Sequence, residues 1–202
     1  MRISSLEISN IRAIDRVVLE DLAQVVLIAG PNGCGKSCIF DSIRLLKSCY
    51  GGYQPNEWQQ WFGEYGINLN RGSGAIGHLF RNKNQPIYVS AEFELTASEK
   101  QFLNDNLDTF AESLAWEIVA PHTQNFQVRP IARDTRAYEG EVAKRRDEIC
   151  AAVRERLTRP RHRGTVEINS SQEILTEPSP LLKLIFSAYE PESLGIINFH
   201  GS

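Results

Sequence analysis

Eight consecutive residues, Gly30-Pro31-Asn32-Gly33-Cys34-Gly35-Lys36-Ser37, have the types and the order needed to hold a chain of phosphates. They satisfy the pattern G-x-x-x-x-G-K-[ST] in full. Glycines here let successive backbone N–H groups from Gly33 to Cys38 turn inward with no Cβ in the way. A helix starting at this point adds the partial positive charge of its N-terminus. Lys36 brings a flexible ammonium to the β and γ phosphates and is the candidate catalytic residue. The Ser37 hydroxyl suits the Mg²⁺ that bridges them. Asn32, Gly33, Cys34, Gly35, Lys36, Ser37 and Cys38 form the candidate phosphate-binding set, with Ser37 the candidate metal ligand and ATP with Mg²⁺ the expected ligand.

Holding a triphosphate is not hydrolysing it. In-line phosphoryl transfer also needs a carboxylate after an apolar strand and a polar group that orients water. Val17-Val18-Leu19-Glu20-Asp21 precedes the phosphate loop and reads more simply as a strand running into a surface turn. Ile196-Ile197-Asn198-Phe199-His200 ends without a carboxylate, and Glu92 and Glu94 alternate onto the solvent face of their strand. As an NTPase the sequence reads as incomplete. Cys34, Cys38, Cys49 and Cys150 form no C-x-x-C pair and have no histidine at zinc-ligand spacing, so reduced thiols are expected.

The elements that would position the loop follow from periodicity. Leu6 and Ile8 alternate with polar neighbours, Val17-Val18-Leu19 follows, and Val25-Val26-Leu27-Ile28-Ala29 is a continuous apolar run of the kind buried on both faces. Two strands are thus expected before the loop. Ile39, Phe40, Ile43 and Leu46 recur at helical spacing after it, predicting a helix that buries that face. Ile87, Val89, Ala91, Phe93 and Leu95 give the cleanest half-buried strand. Thr96-Ala97-Ser98-Glu99 has capping-box spacing, with Phe102, Leu103, Leu107 and Phe110 on the helix it would start. Further strands are expected around 114–120 and 126–131, an exposed helix over 139–159, and a short helix carrying Leu181, Leu182, Leu184 and Ile185 after Pro178-Ser179-Pro180. A final strand is expected at Ile196-Ile197. Five segments result: a phosphate-loop core over 1–48, an insertion or long connection over 49–84, a strand and helix subdomain over 85–138, a basic amphipathic helix over 139–165, and a return to the core over 166–202.

With 202 residues, 42% apolar and 23% charged, the chain fits a folded globular protein rather than a disordered or fibrous one. A formal net charge of -3 gives no global attraction to nucleic acid. Arg154, Arg156, Arg159, Arg161, His162 and Arg163 form a local basic stretch, which Asp147, Glu148 and Glu155 dilute toward an ordinary solvated surface. No run approaches the roughly 18 apolar residues of a membrane span, and the opening residues do not resemble a signal peptide, so a cytoplasmic protein without membrane contact is expected.

The opening L-E-I-S-N-I-R-A-I, followed by V-V-L-I-A-G-P-N-G-C-G-K-S-C-I-F-D-S-I-R-L-L, resembles the N-terminal lobe of ABC-type ATPases of the SMC, RecF and OLD class within the AAA family. The C-terminal stretch Y-E-P-E-S-L-G-I-I-N-F-H-G-S is similar to a segment in ATPases of bacterial antiphage systems, the Septu and retron-associated types. The resemblance is specific over residues 1–48 and loose beyond. It implies an α/β fold of the P-loop NTPase class, a head lobe with a mixed β-sheet around the phosphate-loop helix. It also implies that Arg12, delivered by a preceding strand pair with Asn10 beside it, contacts the nucleotide. Ile11 departs from the aromatic residue common between those two positions, and Arg12 is otherwise a surface residue at a strand end. His200 is read either as approaching the nucleotide or as a turn residue.

In the resembling proteins a later lobe supplies a glutamine loop, the signature motif and the Walker B carboxylates. The resemblance therefore implies a first lobe, truncated before the signature and Walker B motifs or completed by residues beyond the sequence. It further implies a homodimer or higher oligomer through ATPase heads, a nuclease partner, contact with DNA or RNA, and a role in prokaryotic antiviral defence. Two alternatives stand beside this one: an ATP-stabilised scaffold with little turnover, and a RecF-like DNA-repair ATPase using the basic stretch on DNA phosphates.

Overall fold

The computed structural model describes residues 1–51, 73–120 and 136–189. The expected strands at 126–131 and at Ile196-Ile197, most of the 49–84 connection, and His200 lie outside the described residues.

Two compact units divide the chain, Met1–Thr96 with Pro160–Ser202, and Ala97–Arg159. The first is built on a five-stranded sheet in the order β2-β1-β3-β4-β5, with β1 Arg2–Ile11 and β2 Ile14–Leu19, β3 Ile87–Glu94, and β4 His162–Ile168 with β5 Ile174–Thr176. Every neighbouring pair is antiparallel. Register follows from the two-residue period: Leu6 pairs with Ala91, Ile8 with Val89, and Val89 with Val166, so one face gathers the apolar residues. The opposite face carries charge. Arg2 pairs with Glu94, and Arg161 bridges Glu94 at 3.2 Å and Glu92 at 3.6 Å. Hydrogen bonding from Arg2 is the largest cause holding the Glu94 carboxyl below its ordinary range.

Helix α1, Lys36–Tyr50, packs against β1, β3 and β4 on the apolar face. A short 3₁₀ segment covers Ser73–Leu79. In the second unit α2, Ala97–Val119, lies against α3, Arg136–Leu157. Leu103, Leu107, Ala111 and Leu114 of α2 are buried at three- and four-residue steps, and Val142, Ile149 and Val153 of α3 at seven- and four-residue steps. The final helix of the description, α4 Pro180–Ala188, begins as its sequence dictates: Ser179 Oγ accepts from the Leu182 amide at 3.3 Å, and Pro180 occupies the first turn. Packing of α4 on α1 demands a glycine. A Cβ on Gly51 would lie 2.4 Å from the Phe186 Cβ. Tyr50 ties the same end of α1 to the sheet side, its hydroxyl donating to Glu177 O at 2.7 Å and accepting from the Thr165 amide at 3.0 Å.

Four expectations change. The sheet is antiparallel throughout the described residues, not mixed. The run Val25-Val26-Leu27-Ile28-Ala29 is not a strand, and Val25 and Leu27 stand 85% and 91% exposed. A doubly buried strand must sit in a sheet covered on both faces, and the five strands of the sheet pair without this run. Residues 114–119 continue α2 rather than forming a strand, because Leu114 extends the helical spacing of Leu103, Leu107 and Ala111. The fourth change is the buried face of α1, formed by Cys38, Asp41, Ser42, Leu45 and Leu46. Ile39 and Ile43 are only half-buried, and Phe40 is exposed. Polar residues go inward because they are satisfied there, Asp41 by Arg12 and Ser42 by the Cys38 carbonyl at 2.6 Å.

The units also cut across the expected segments. β3 falls in the sheet unit and α2 in the helical one, and the helix foreseen over 139–159 begins at Arg136.

Candidate nucleotide-binding site

The phosphate loop lies immediately before α1, whose N-terminal boundary residue is Gly35. Gly33 and Gly35 have φ of 81° and 96°, a left-handed backbone that an L side chain enters only with strain. These are the two positions at which the loop must reverse. Space restricts Gly35 as well, since a Cβ there would meet the side chains of Ile14 and Ala13 at 3.4 and 3.5 Å. Removing side chains at these turns leaves the backbone free to approach a ligand. The Cys34 amide donates to Pro31 O at 3.4 Å and the Cys38 amide to Gly35 O at 3.0 Å, closing the loop onto the first helical turn.

Arg12, Ala13, Asn32, Gly33, Gly35, Lys36, Ser37 and Cys38 line one cavity of about 570 Å³. The structure therefore gathers Arg12 and six of the seven loop residues singled out from the sequence. Cys34 is the exception: it is exposed and does not line the cavity, and its sulfur lies 3.9 Å from Lys36 Nζ. Lys36 Nζ donates to the carbonyls of Gly30 at 2.8 Å and Pro31 at 2.7 Å, so the ammonium folds back over the loop that precedes it. Asn10 does not belong to this set. It is buried, its Nδ2 donating to Asn82 O at 2.8 Å and Gln85 O at 2.6 Å, and its Oδ1 accepting from the Asn82 amide at 2.7 Å.

The donor set suits a polyphosphate. Two cations, Arg12 and Lys36, share a cavity with turn glycines and the start of a 15-residue helix. The Ser37 hydroxyl on the same wall would serve the magnesium that accompanies it. One residue that sequence reasoning passed over joins the site: Asp41 on α1, whose Oδ2 lies 3.1 Å from Arg12 Nη1. Its signal was an acidic residue four positions beyond Ser37, where helical spacing returns to the same side.

A family model described as an AAA domain matches residues 5–191. The chain belongs to this AAA domain family. The domain is of ATPase type, and its family is one that binds ATP with Mg²⁺. An uncharacterized protein of Methanocaldococcus jannaschii, MJECL10, is 28% identical over 121 residues, covering 52% of this chain and 51% of that protein. The AAA domain thus spans about half the length of the curated relative it matches.

None of the other described candidates lines this cavity. Glu92 and Glu94 are occupied by Arg2 and Arg161 on the outer face of the sheet. The basic stretch is largely paired: Arg154 lies 3.5 Å from Asp108 and Arg159 2.6 Å from Glu155. Among the described residues no group of three or more His, Cys, Asp or Glu side chains is arranged to hold a metal, and no helix is long and apolar enough to cross a membrane.

Proposed function

We propose that this AAA domain is the ATP-binding lobe of an SMC/OLD-like ATPase that couples ATP binding and hydrolysis to the control of a nuclease partner or to DNA handling in prokaryotic antiviral defence. The observation that carries the nucleotide reading is the convergence of Arg12, Lys36 and Ser37 on one cavity at the start of α1. Lys36 would bind the β and γ phosphates, Ser37 the magnesium, and Arg12 would contact the nucleotide from the same cavity. The defence setting rests on the resemblance of the C-terminal stretch to antiphage ATPases.

The apolar surface beside the loop supports the reading of a lobe within a larger head. Val26, Ile28, Ile39, Phe40 and Ile43 are among the residues that line a cavity of about 720 Å³. Val25 and Leu27 project to solvent next to it. Contiguous apolar surface of this kind marks an interaction site. Completion by a second lobe, and pairing of two heads across bound ATP, would cover it, so that nucleotide stabilises an assembly.

Turnover tests the proposal. Steady-state phosphate release by the complete gene product, with and without DNA, is expected to occur and to vanish in Lys36→Ala. Tight ATP binding with no release under any condition would favour the scaffold reading, in which ATP only holds an oligomer together. The RecF-like reading gains little from the basic stretch, whose Arg154, Arg159 and Arg161 already face carboxylates.

A further inference from the structure

The end of β1 is unusual in a way that leads to the cavity. Asn10 and Arg12 have φ of 59° and 50°, left-handed values at two non-glycine residues separated only by the buried Ile11. Asparagine enters that region readily, whereas for arginine it is a strained conformation that surrounding contacts must hold. Those contacts are present. Asn10 is clamped to the turn at 82–85 by three hydrogen bonds. The Arg12 amide donates to Leu79 O at 2.8 Å and the Arg81 amide to Asn10 O at 3.2 Å. The side chain that results from this curl is not left to solvent: Arg12 Nη1 meets Asp41 Oδ2 at 3.1 Å.

The two partners are unequally placed. The Arg12 side chain is 37% exposed and lines the cavity, while that of Asp41 is 6% exposed on the buried side of α1. Moving a carboxylate out of water is costly unless a cation compensates it. A bare carboxylate one helical turn from Ser37 would also repel a triphosphate. Its ion pair with Arg12 offsets that repulsion and links it to the anion site. A guanidinium carries five N–H donors in a planar fork, so one group can hold a carboxylate at one edge and a phosphate at another.

We infer that Asp41 is a positioning residue for nucleotide binding, fixing the Arg12 guanidinium at the wall of the phosphate cavity. The inference rests on the reading of that cavity as an ATP site. Equilibrium titration of the full chain with Mg²⁺-ATP tests it, using the wild type, Asp41→Asn, Arg12→Ala, the double variant and Lys36→Ala. Asp41→Asn is expected to weaken ATP binding about three- to tenfold, Arg12→Ala by at least as much, and the double variant no further than Arg12→Ala alone.

The sign of the effect discriminates. Simple removal of a negative charge beside a polyphosphate would tighten binding, and that result would overturn the inference. So would an equal further loss on adding Asp41→Asn to Arg12→Ala, because Asp41 would then act independently of the arginine. Full ATP affinity in Lys36→Ala would instead remove the cavity reading beneath the inference, an outcome distinct from both. Should Asp41→Asn fail to fold, Arg12→Lys carries the test: an ammonium lacks the fork, so a several-fold loss is expected, and wild-type affinity would overturn the assignment.

Discussion

Chemistry at this site is divided among a few side chains whose surroundings decide what each can do. Cys34 and Cys49 show the contrast. Cys34 is exposed in the phosphate loop beside Lys36, whereas burial pushes the Cys49 thiol up to about 11. Only a thiolate attacks an alkylating reagent, so on the order of a thousandth of Cys49 is reactive at pH 8. Iodoacetamide treatment followed by peptide mass analysis is expected to label Cys34 first, with the buried Cys38 and Cys150 slow. Saturating Mg²⁺-ATP should protect Cys34 by closing the loop around phosphate. Unchanged labelling of Cys34 in saturating ATP would show that the loop does not close over its sulfur, which does not line the cavity. Lys36 was identifiable from residue type and motif spacing, and Arg12 from the resemblance of the opening segment. Asp41 was not, because an acidic residue in a helix gives no sequence signal of which charge will meet it; the left-handed turn at Arg12 makes that meeting.

At the scale of elements, α1 joins everything that matters. Its first turn carries Lys36, Ser37 and Cys38, its middle carries Asp41, and its last residue, Tyr50, hydrogen-bonds toward β4 and β5. Gly51 then allows α4 to close on its end. A Cβ at Gly51 would stand 2.4 Å from Phe186 Cβ and 2.9 Å from the Phe186 carbonyl carbon, and backbone cannot yield as a flexible side chain can. Gly51→Ala is therefore expected to destabilise the sheet unit by about 1–3 kcal/mol. Chemical denaturation followed by circular dichroism measures this, and an unchanged midpoint would show that α1 and α4 do not depend on that approach. The strands and helices with strong periodicity were legible: β1, β3 and α4 lie where alternation and the Pro178-Ser179-Pro180 break put them. The face of α1 was misread, since hydrophobicity pointed to Ile39, Phe40 and Ile43, and the ion pair that lets Asp41 turn inward joins residues 29 positions apart. Val25 to Ala29 failed for a related reason. An apolar run signals burial, but what buries it is a matter of neighbours outside the run.

For the molecule as a whole, the family match over residues 5–191 extends across both units. Assignment to an ATPase-type AAA domain therefore does not depend on the loop alone. Val26 and Phe40 line an apolar groove beside the loop, the surface through which the proposed larger head would assemble. Every part of the account nevertheless requires that the cavity bounded by Arg12, Lys36 and Ser37 hold a nucleotide. Calorimetric titration of Mg²⁺-ATP into the wild type and Lys36→Ala tests that most directly. The account predicts one saturable site in the wild type and loss of measurable binding in the variant, with unchanged circular dichroism. Equal ATP affinity in the two proteins would contradict it.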